Sequence, residues 1–221
     1  MIANFLAGAR RGLDNELHRS WQESLASQRR APGRLLAWAP TADEGVCIAA
    51  NGVLSIGSVA AGRPGGHDYQ ERPSLDWRHL GWHRIERGGF DADSSTLRWT
   101  LYADSDQLGR TDPYADDRLA PAEQLVKLQR PGRLPLVFRD RVGASIIVEQ
   151  FIPLTDRPTA PGRRLREPGV IISGRRDLAA PDARIEWHAS VPQGISWNTP
   201  GIEELAAESI RRLRGEYDPH G

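Results

Sequence analysis

The sequence predicts an α+β protein, a set of short antiparallel strands with a helix before them and another after them. Three observations carry this. Residues 2–28 place Ile2, Phe5, Leu6, Ala9, Leu13, Leu17, Trp21 and Leu25 at spacings of three and four, whereas after Pro32 the apolar period drops to two. Turn chemistry separates short apolar runs, most clearly at Asn51-Gly52 and Asp91-Ala92-Asp93-Ser94-Ser95. Near the C-terminus, Ile202, Leu205, Ile210, Leu213 and Tyr217 return to helical spacing.

The N-terminal stripe is an amphipathic helical arm that Ala31-Pro32-Gly33 stops, with Gly8 and Gly12 each weakening it by about 1 kcal/mol relative to alanine. Residues 34–39 (RLLAWA), 46–50 (VCIAA) and 53–57 (VLSIG) read as strands, joined by a turn at Asp43-Glu44-Gly45 and a hairpin at Asn51-Gly52. A Gly/Pro-rich surface loop follows, SVAAGRPGGHDYQERPS. Leu80, Trp82 and Ile85 mark one strand, and TLRWTLY at 96–102 marks the next across the Asp91–Ser95 turn, so Trp82, Ile85, Leu97 and Trp99 point inward and His83 and Arg84 stay at the rim. Residues 103–123 form a loop with six acidic residues, and 124–128 a short strand.

After Pro131-Gly132, the fourfold spacing of Leu134, Phe138, Val142 and Ile146 predicts a helix over about 132–150, with Pro135 confined to its first turn. Residues 155–169 are a Pro/Arg-rich loop, 169–174 (GVIISG) and 184–191 (RIEWHASV) a β-hairpin, and Thr199-Pro200 an N-cap with proline at the first helical position. The expected organisation is an arm at 1–33, a strand-rich body at 34–152 and an appended loop, hairpin and helix at 153–221, packed on the same domain. A chain of 221 residues is long enough to bury a sizeable core.

The stretches RLLAWAPTADEGVCIAANGVLSIG, WHRIERGGFDADSSTLRWTL and LPLVFRDRVGASIIVEQF, taken in that order, resemble an uncharacterised protein family of high-GC bacteria whose chains begin with a barrel of the pleckstrin-homology (PH) type, in its bacterial PH-like and GRAM-like forms. The resemblance covers residues 34–152 and implies an antiparallel barrel closed by a helix. It transfers no binding residues. The first hairpin carries Asp43 and Glu44 where a phosphoinositide reader needs a basic cluster.

Charge and composition narrow the function classes. The 29 basic residues balance the 29 acidic ones, and all of the basic residues but Lys127 are arginine, so no basic excess points to nucleic acid. Cys47 is the only cysteine, which excludes an intramolecular disulfide or a multi-cysteine zinc site and fits a cytoplasmic protein. The start, MIANFLAGARRG, lacks the basic n-region of a signal peptide, and no run approaches the ~20 apolar residues of a membrane span.

No GxSxG, HExxH, P-loop, GxGxxG or Cys/His signature occurs, so no catalytic, cofactor or metal residue is assigned. His79 and His83 are four apart, but on a strand that is about 13 Å, too far to share a metal. The acidic loop DSDQLGRTDPYADD lacks the register of an EF-hand.

The expected function is therefore that of a non-catalytic protein-interaction module. Its partner surface is the arm, through Phe5, Leu13, Leu17 and Trp21, together with an arginine-rich loop, through Arg163, Arg164, Arg166, Arg175 and Arg176, whose guanidinium groups suit carboxylates and phosphates. The partner is a protein or a second copy. The alternatives are a small-ligand or enzymatic pocket near Trp82, Trp99, Trp187 and Trp197, and a peripheral membrane surface.

Overall fold

A computed structural model describes residues 13–31, 33–59, 75–102, 123–154, 168–180 and 182–218. Helix α1 (Asn15–Ser27) starts at Asp14, whose carboxylate accepts the Glu16 amide at 2.7 Å, one of the amide donors a helix start leaves unpaired. Strands β1 (Leu35–Pro40), β2 (Val46–Ala50), β3 (Val53–Val59) and β4 (Leu75–Gly81) form a four-stranded antiparallel sheet in sequence order. A 3₁₀ turn at Trp82–Arg84 then redirects the chain into β5 (Ile85–Asp91), β6 (Thr96–Leu101) and β7 (Gln124–Lys127), a second antiparallel sheet.

Helix α2 (Leu134–Ser145) leads directly into β8 (Ile146–Pro153), which with β9 (Gly169–Arg175) and β10 (Glu186–Ser190) makes a third sheet in the order β10-β9-β8. Helix α3 (Ile202–Tyr217) packs on β9 and β10.

The α+β class and the antiparallel pairing agree with the sequence expectation. The strands divide into three sheets, however, and no closed barrel forms among the described residues. The first two sheets part at the 3₁₀ turn, and an isolated bridge between Thr41 and Leu128 ties the end of β1 to the end of β7.

Sheet 1 is covered on both faces, which is why its central strands read as nearly continuous apolar runs. Cys47, Ala49, Leu54 and Ile56 face one core with Trp82, Ile85, Leu97, Trp99, Leu134 and Phe138, so sheet 2 and α2 cover that side. Val46, Ile48, Ala50 and Val53 face the other way, onto Trp21 and Leu25 of α1. A bulge between Leu35 and Ala37 adds a residue to β1 and lets Leu35 join the α1 side while Ala37 joins the inner core. The four inward residues expected from the 81–99 segment, Trp82, Ile85, Leu97 and Trp99, all lie in that inner core.

Phe138 reaches sheet 2 because residue 88 is glycine: a Cβ there would stand 2.8 Å from the Phe138 ring. The ring meets Trp82 nearly edge-on at 5.9 Å, a favourable aromatic arrangement. The turn after β5 forms as expected, with Asp91 accepting the Ser94 hydroxyl at 2.8 Å and the Arg98 guanidinium at 2.7 Å. The Ser94 hydrogen bond leads the causes that hold the Asp91 carboxyl below its ordinary range.

Three boundaries differ from the sequence expectation. The helix expected over 132–150 ends at Ser145, because Ile146, Ile147 and Val148 are β-branched and their backbone finds β9 as a partner. The single strand expected through Leu80, Trp82 and Ile85 is two strands separated by the 3₁₀ turn. The last helix begins after Gly201, which adopts φ +86° as no other residue type readily does, so Thr199-Pro200 forms a turn ahead of the helix and not its cap.

Candidate functional site

The arm is the first part of the expected partner surface, and its described portion is occupied by its own chain. Leu13 and Trp21 are buried against the outer face of sheet 1, with Leu17 half-buried beside them. Burying an indole and a leucine contributes about 1.5–3 kcal/mol each.

Hydrogen bonds fix the seat. The Trp21 indole N–H donates to Ser55 Oγ at 2.9 Å, Ser55 Oγ lies 2.8 Å from His79 Nδ1, and His79 Nε2 lies 2.9 Å from Ser24 Oγ, back on α1. Ser55 is fully buried, and its hydroxyl accepts from the indole while hydrogen-bonding Nδ1, so a neutral His79 bridges Ser55 to Ser24 in either tautomer. Trp77 adds a parallel link, its indole N–H donating to Ser20 Oγ at 3.0 Å. Burial, and secondarily the Arg30 charge, hold His79 below its ordinary pKa, so it stays neutral in this relay at pH 7. Phe5 lies outside the described residues.

The arginine-rich loop divides differently. Arg163, Arg164 and Arg166 lie outside the described residues, and Arg176 is half-buried. Arg175 is no surface residue: it is 1 % exposed, on a strand at the seam between sheets 2 and 3.

Its Nε donates to the Tyr102 hydroxyl and to Ser173 Oγ, both at 3.1 Å. Nη1 reaches Ser145 Oγ at 3.2 Å and the Val142 carbonyl at 3.4 Å, and Nη2 reaches the Glu86 carbonyl at 3.2 Å. Glu149 stands 3.8 Å from Nη2, and the guanidinium lies 5.2 Å from the Tyr102 ring centre. The Val142 carbonyl and the Ser145 hydroxyl, which itself donates to Val142 at 2.7 Å, belong to the last turn of α2, where a cation is favoured.

Strand parity assembles the rest of the seam. Arg175 pairs with Glu186 and Ser173 with His188, so these four residues share one face of sheet 3, while Val170, Ile172 and Trp187 turn toward α3. His188 stacks on Tyr102 with ring centres 4.1 Å apart and finds no hydrogen-bond partner for either ring nitrogen among the described residues.

His83, expected at the rim, is 4 % exposed, with Nδ1 3.6 Å from Asp177 and Nε2 3.4 Å from Glu186. Burial leads the causes that lower both histidines; His188 falls to about 4, helped by the Arg84 and Arg175 charges, while Glu186 and Asp177 partly offset the shift at His83. His79 and His83 serve separate networks. Among the described residues no group of three or more His, Cys, Asp or Glu side chains is placed to hold a metal ion.

The open concave surface lies elsewhere. A groove of about 460 Å³ runs between β7 and the inner faces of β3 and β4, lined by Ile56, Asp76, Arg78, Leu125, Val126 and Lys127 among others. It exists because β1 leaves β7 early. The Ala42 amide still donates to the Lys127 carbonyl at 2.9 Å, after which the chain enters the β1–β2 turn and, among the described residues, the backbone edge at Leu125 has no strand beside it. Leu125 is 61 % exposed, the most exposed large apolar side chain among the described residues. Arg78 closes one wall by donating to Gln124 at 2.8 Å.

The four tryptophans divide between two cores. Trp82 and Trp99 belong to the inner core, and Trp187 and Trp197 to the core under α3. Neither the groove nor a smaller cleft of about 110 Å³ near Arg34 and Asp140 has a tryptophan in its lining.

Cys47 is buried in the inner core, where burial pushes its thiol up to about 12. It is expected to resist an aromatic disulfide reagent at about pH 8 in the native protein and to react fully once the chain is unfolded in urea, since the thiolate is the nucleophile. Fast labelling of the native protein would contradict the placement of Cys47.

The groove and the sealed seam define a protein of α+β class with its larger described cleft beside β7 and its buried arginine and two buried histidines gathered in one junction. In comparison with known proteins, the chain matches no protein-family model, no curated protein and no solved structure.

Proposed function

We propose that the chain is a non-catalytic protein-interaction module that takes an extended partner segment in the groove, adding it as a strand beside β7. The observation that carries the reading is the backbone edge at Leu125, unpaired among the described residues, beside a groove of about 460 Å³. Strand addition uses such an edge because main-chain hydrogen bonds supply affinity while alternate side chains of the added strand enter pockets. Ile56 and Val126 offer the apolar contact, and Asp76 and Lys127 offer charges of both signs for selection. This moves the partner surface away from the arm, whose Trp21 is already covered.

The order of elements supports a PH-like architecture for residues 34–152: a four-stranded antiparallel sheet, a three-stranded one, and then a helix packed on the core they share. The buried seam argues for binding over catalysis, because Arg175, His188 and Tyr102 are spent on one another and lie away from the groove. No helix among the described residues is long and apolar enough to cross a membrane.

Selection of random twelve-residue peptides on the immobilised full chain tests the proposal. Enriched peptides are expected to bind the native chain and to lose about tenfold or more in affinity to Leu125→Arg, an exposed substitution that leaves the fold intact. Equal binding to both chains, or no enrichment, would overturn it.

A further inference from the structure

The seam joins sheet 3 and α3 to the rest of the molecule, and its composition is unusual for a buried contact. Hydrophobic packing dominates the three cores, but at this junction, apart from Leu178 between β9 and β10, which packs on the inner core, the contact is made by Arg175, Tyr102, His83, His188, Glu186 and Asp177. Among the described residues, two imidazoles sit in it without the hydrogen bonds that buried rings normally make: His188 lacks a partner at both nitrogens and His83 at Nδ1. The carboxylates near them stand off at 3.6 Å from His83 Nδ1 and 3.8 Å from His188 Nε2, beyond hydrogen-bond length.

We infer that this junction is a proton-operated hinge, in which acidification releases sheet 3 and α3 as a unit while the core between sheets 1 and 2 stays closed. The charges facing the rings decide the direction. His188 meets Arg175 on β9 and Arg84 and His83 on the 3₁₀ turn, the two arginines and a protonated His83 all repelling an imidazolium, and the Tyr102 ring that covers it is neutral. Glu186 stands near both rings from β10, but it is 42 % exposed and shares its attraction between them. His83 meets attraction from Asp177 and Glu186 and repulsion from Arg84 and Arg30, against a larger cost of burial. Glu149 on β8 pairs with Arg175 and not with either ring.

A proton on His188 therefore places a cation against the arginine that holds the seam. Once the unit swings away, the ring is solvated and takes the proton freely. The closed state binds fewer protons, so closure is complete above about pH 6.5, the value for a free histidine, and is lost as pH falls toward about 4, the value for His188 in place. The covalent pivot is the junction of α2 and β8 at Ser145-Ile146.

Amide hydrogen exchange on the full chain, corrected for the intrinsic pH dependence, tests this. The Arg176 amide donates to the Ser145 carbonyl across the seam at 2.9 Å, and the β2 amides report the inner core. Protection of Arg176 is expected to fall by about tenfold or more between about pH 7.5 and pH 4.5, while protection in β2 changes by about twofold or less. His188→Phe keeps the stack on Tyr102 without a titrating nitrogen and is expected to hold Arg176 protection flat; His188→Gln serves the same purpose if the phenylalanine does not fold. Joint loss of protection at Arg176 and β2, or an Arg176 amide still protected at pH 4.5 in the native sequence, would overturn the hinge.

Discussion

Replacing Arg175 with alanine is expected to destabilise the protein by about 3–5 kcal/mol, the range seen when one member of a buried, hydrogen-bonded charge network is removed. The loss has identifiable parts. The Glu86 carbonyl and Ser145 Oγ lose donors inside the protein, Tyr102 loses the guanidinium over its ring, and a cavity opens at a residue that is 1 % exposed. Arg175→Lys is expected to recover little of this, because a single ammonium cannot reach acceptors that the guanidinium fork meets on both sides. Glu149→Gln sets the contrast: the carboxylate is about half exposed and 3.8 Å away, so its loss costs about 1 kcal/mol or less. Urea unfolding of the three variants checks the order, and an alanine variant within about 1 kcal/mol of the native chain would remove Arg175 from its place at the centre of the seam.

Trp21→Ala is the second large effect, expected at about 3–5 kcal/mol for a fully buried aromatic. It tests whether the arm is part of the body or a free docking element. An arm reserved for a partner loses nothing in stability when Trp21 is removed, whereas a docked arm exposes the Val46, Ile48 and Val53 face of sheet 1. Trp21→Phe separates packing from polarity: it retains most of the buried area and removes the donor to Ser55, so it is expected to cost about 1–2 kcal/mol. A Trp21→Ala chain as stable as the native one would return the arm to the role of an interaction surface.

The sheet core was legible in sequence because its signals are local. Asn51-Gly52 joins two strands, Asp91 supplies the acceptors of its own turn, and Leu97 and Trp99 alternate as an inward face must. The helical stripe of the arm was equally clear, yet periodicity says only that a face is buried and not against what. Here the complement is the even-numbered face of VCIAA, a run apolar on both sides because both sides are covered.

The seam was not legible, since it depends on register between strands distant in sequence. Arg175 looked like one of a loop's arginines because its strand was taken to end at Gly174. Carried one residue further, strand parity puts Arg175 with Ser173, opposite Glu186, on the face that meets Tyr102. His188 stands beside Trp187 and strand alternation puts the two rings on opposite faces, but nothing local shows which face meets α3 and which meets Tyr102. The extent of the helix from Leu134 was overread for a related reason: Ile146 continues the fourfold spacing, while its β-branched neighbours pair with β9, and tertiary pairing overrides the pattern.

The most direct measurement of where this protein binds is an amide chemical-shift map of the labelled full chain titrated with a peptide selected on it. Strand addition in the groove predicts shifts concentrated at Leu125, Val126 and Lys127 on β7 and at Ile56 and Arg78 on the facing sheet, with α1 and the Arg175 seam unchanged. Shifts concentrated on α1 or at Arg175 and Arg176, with β7 silent, would contradict it.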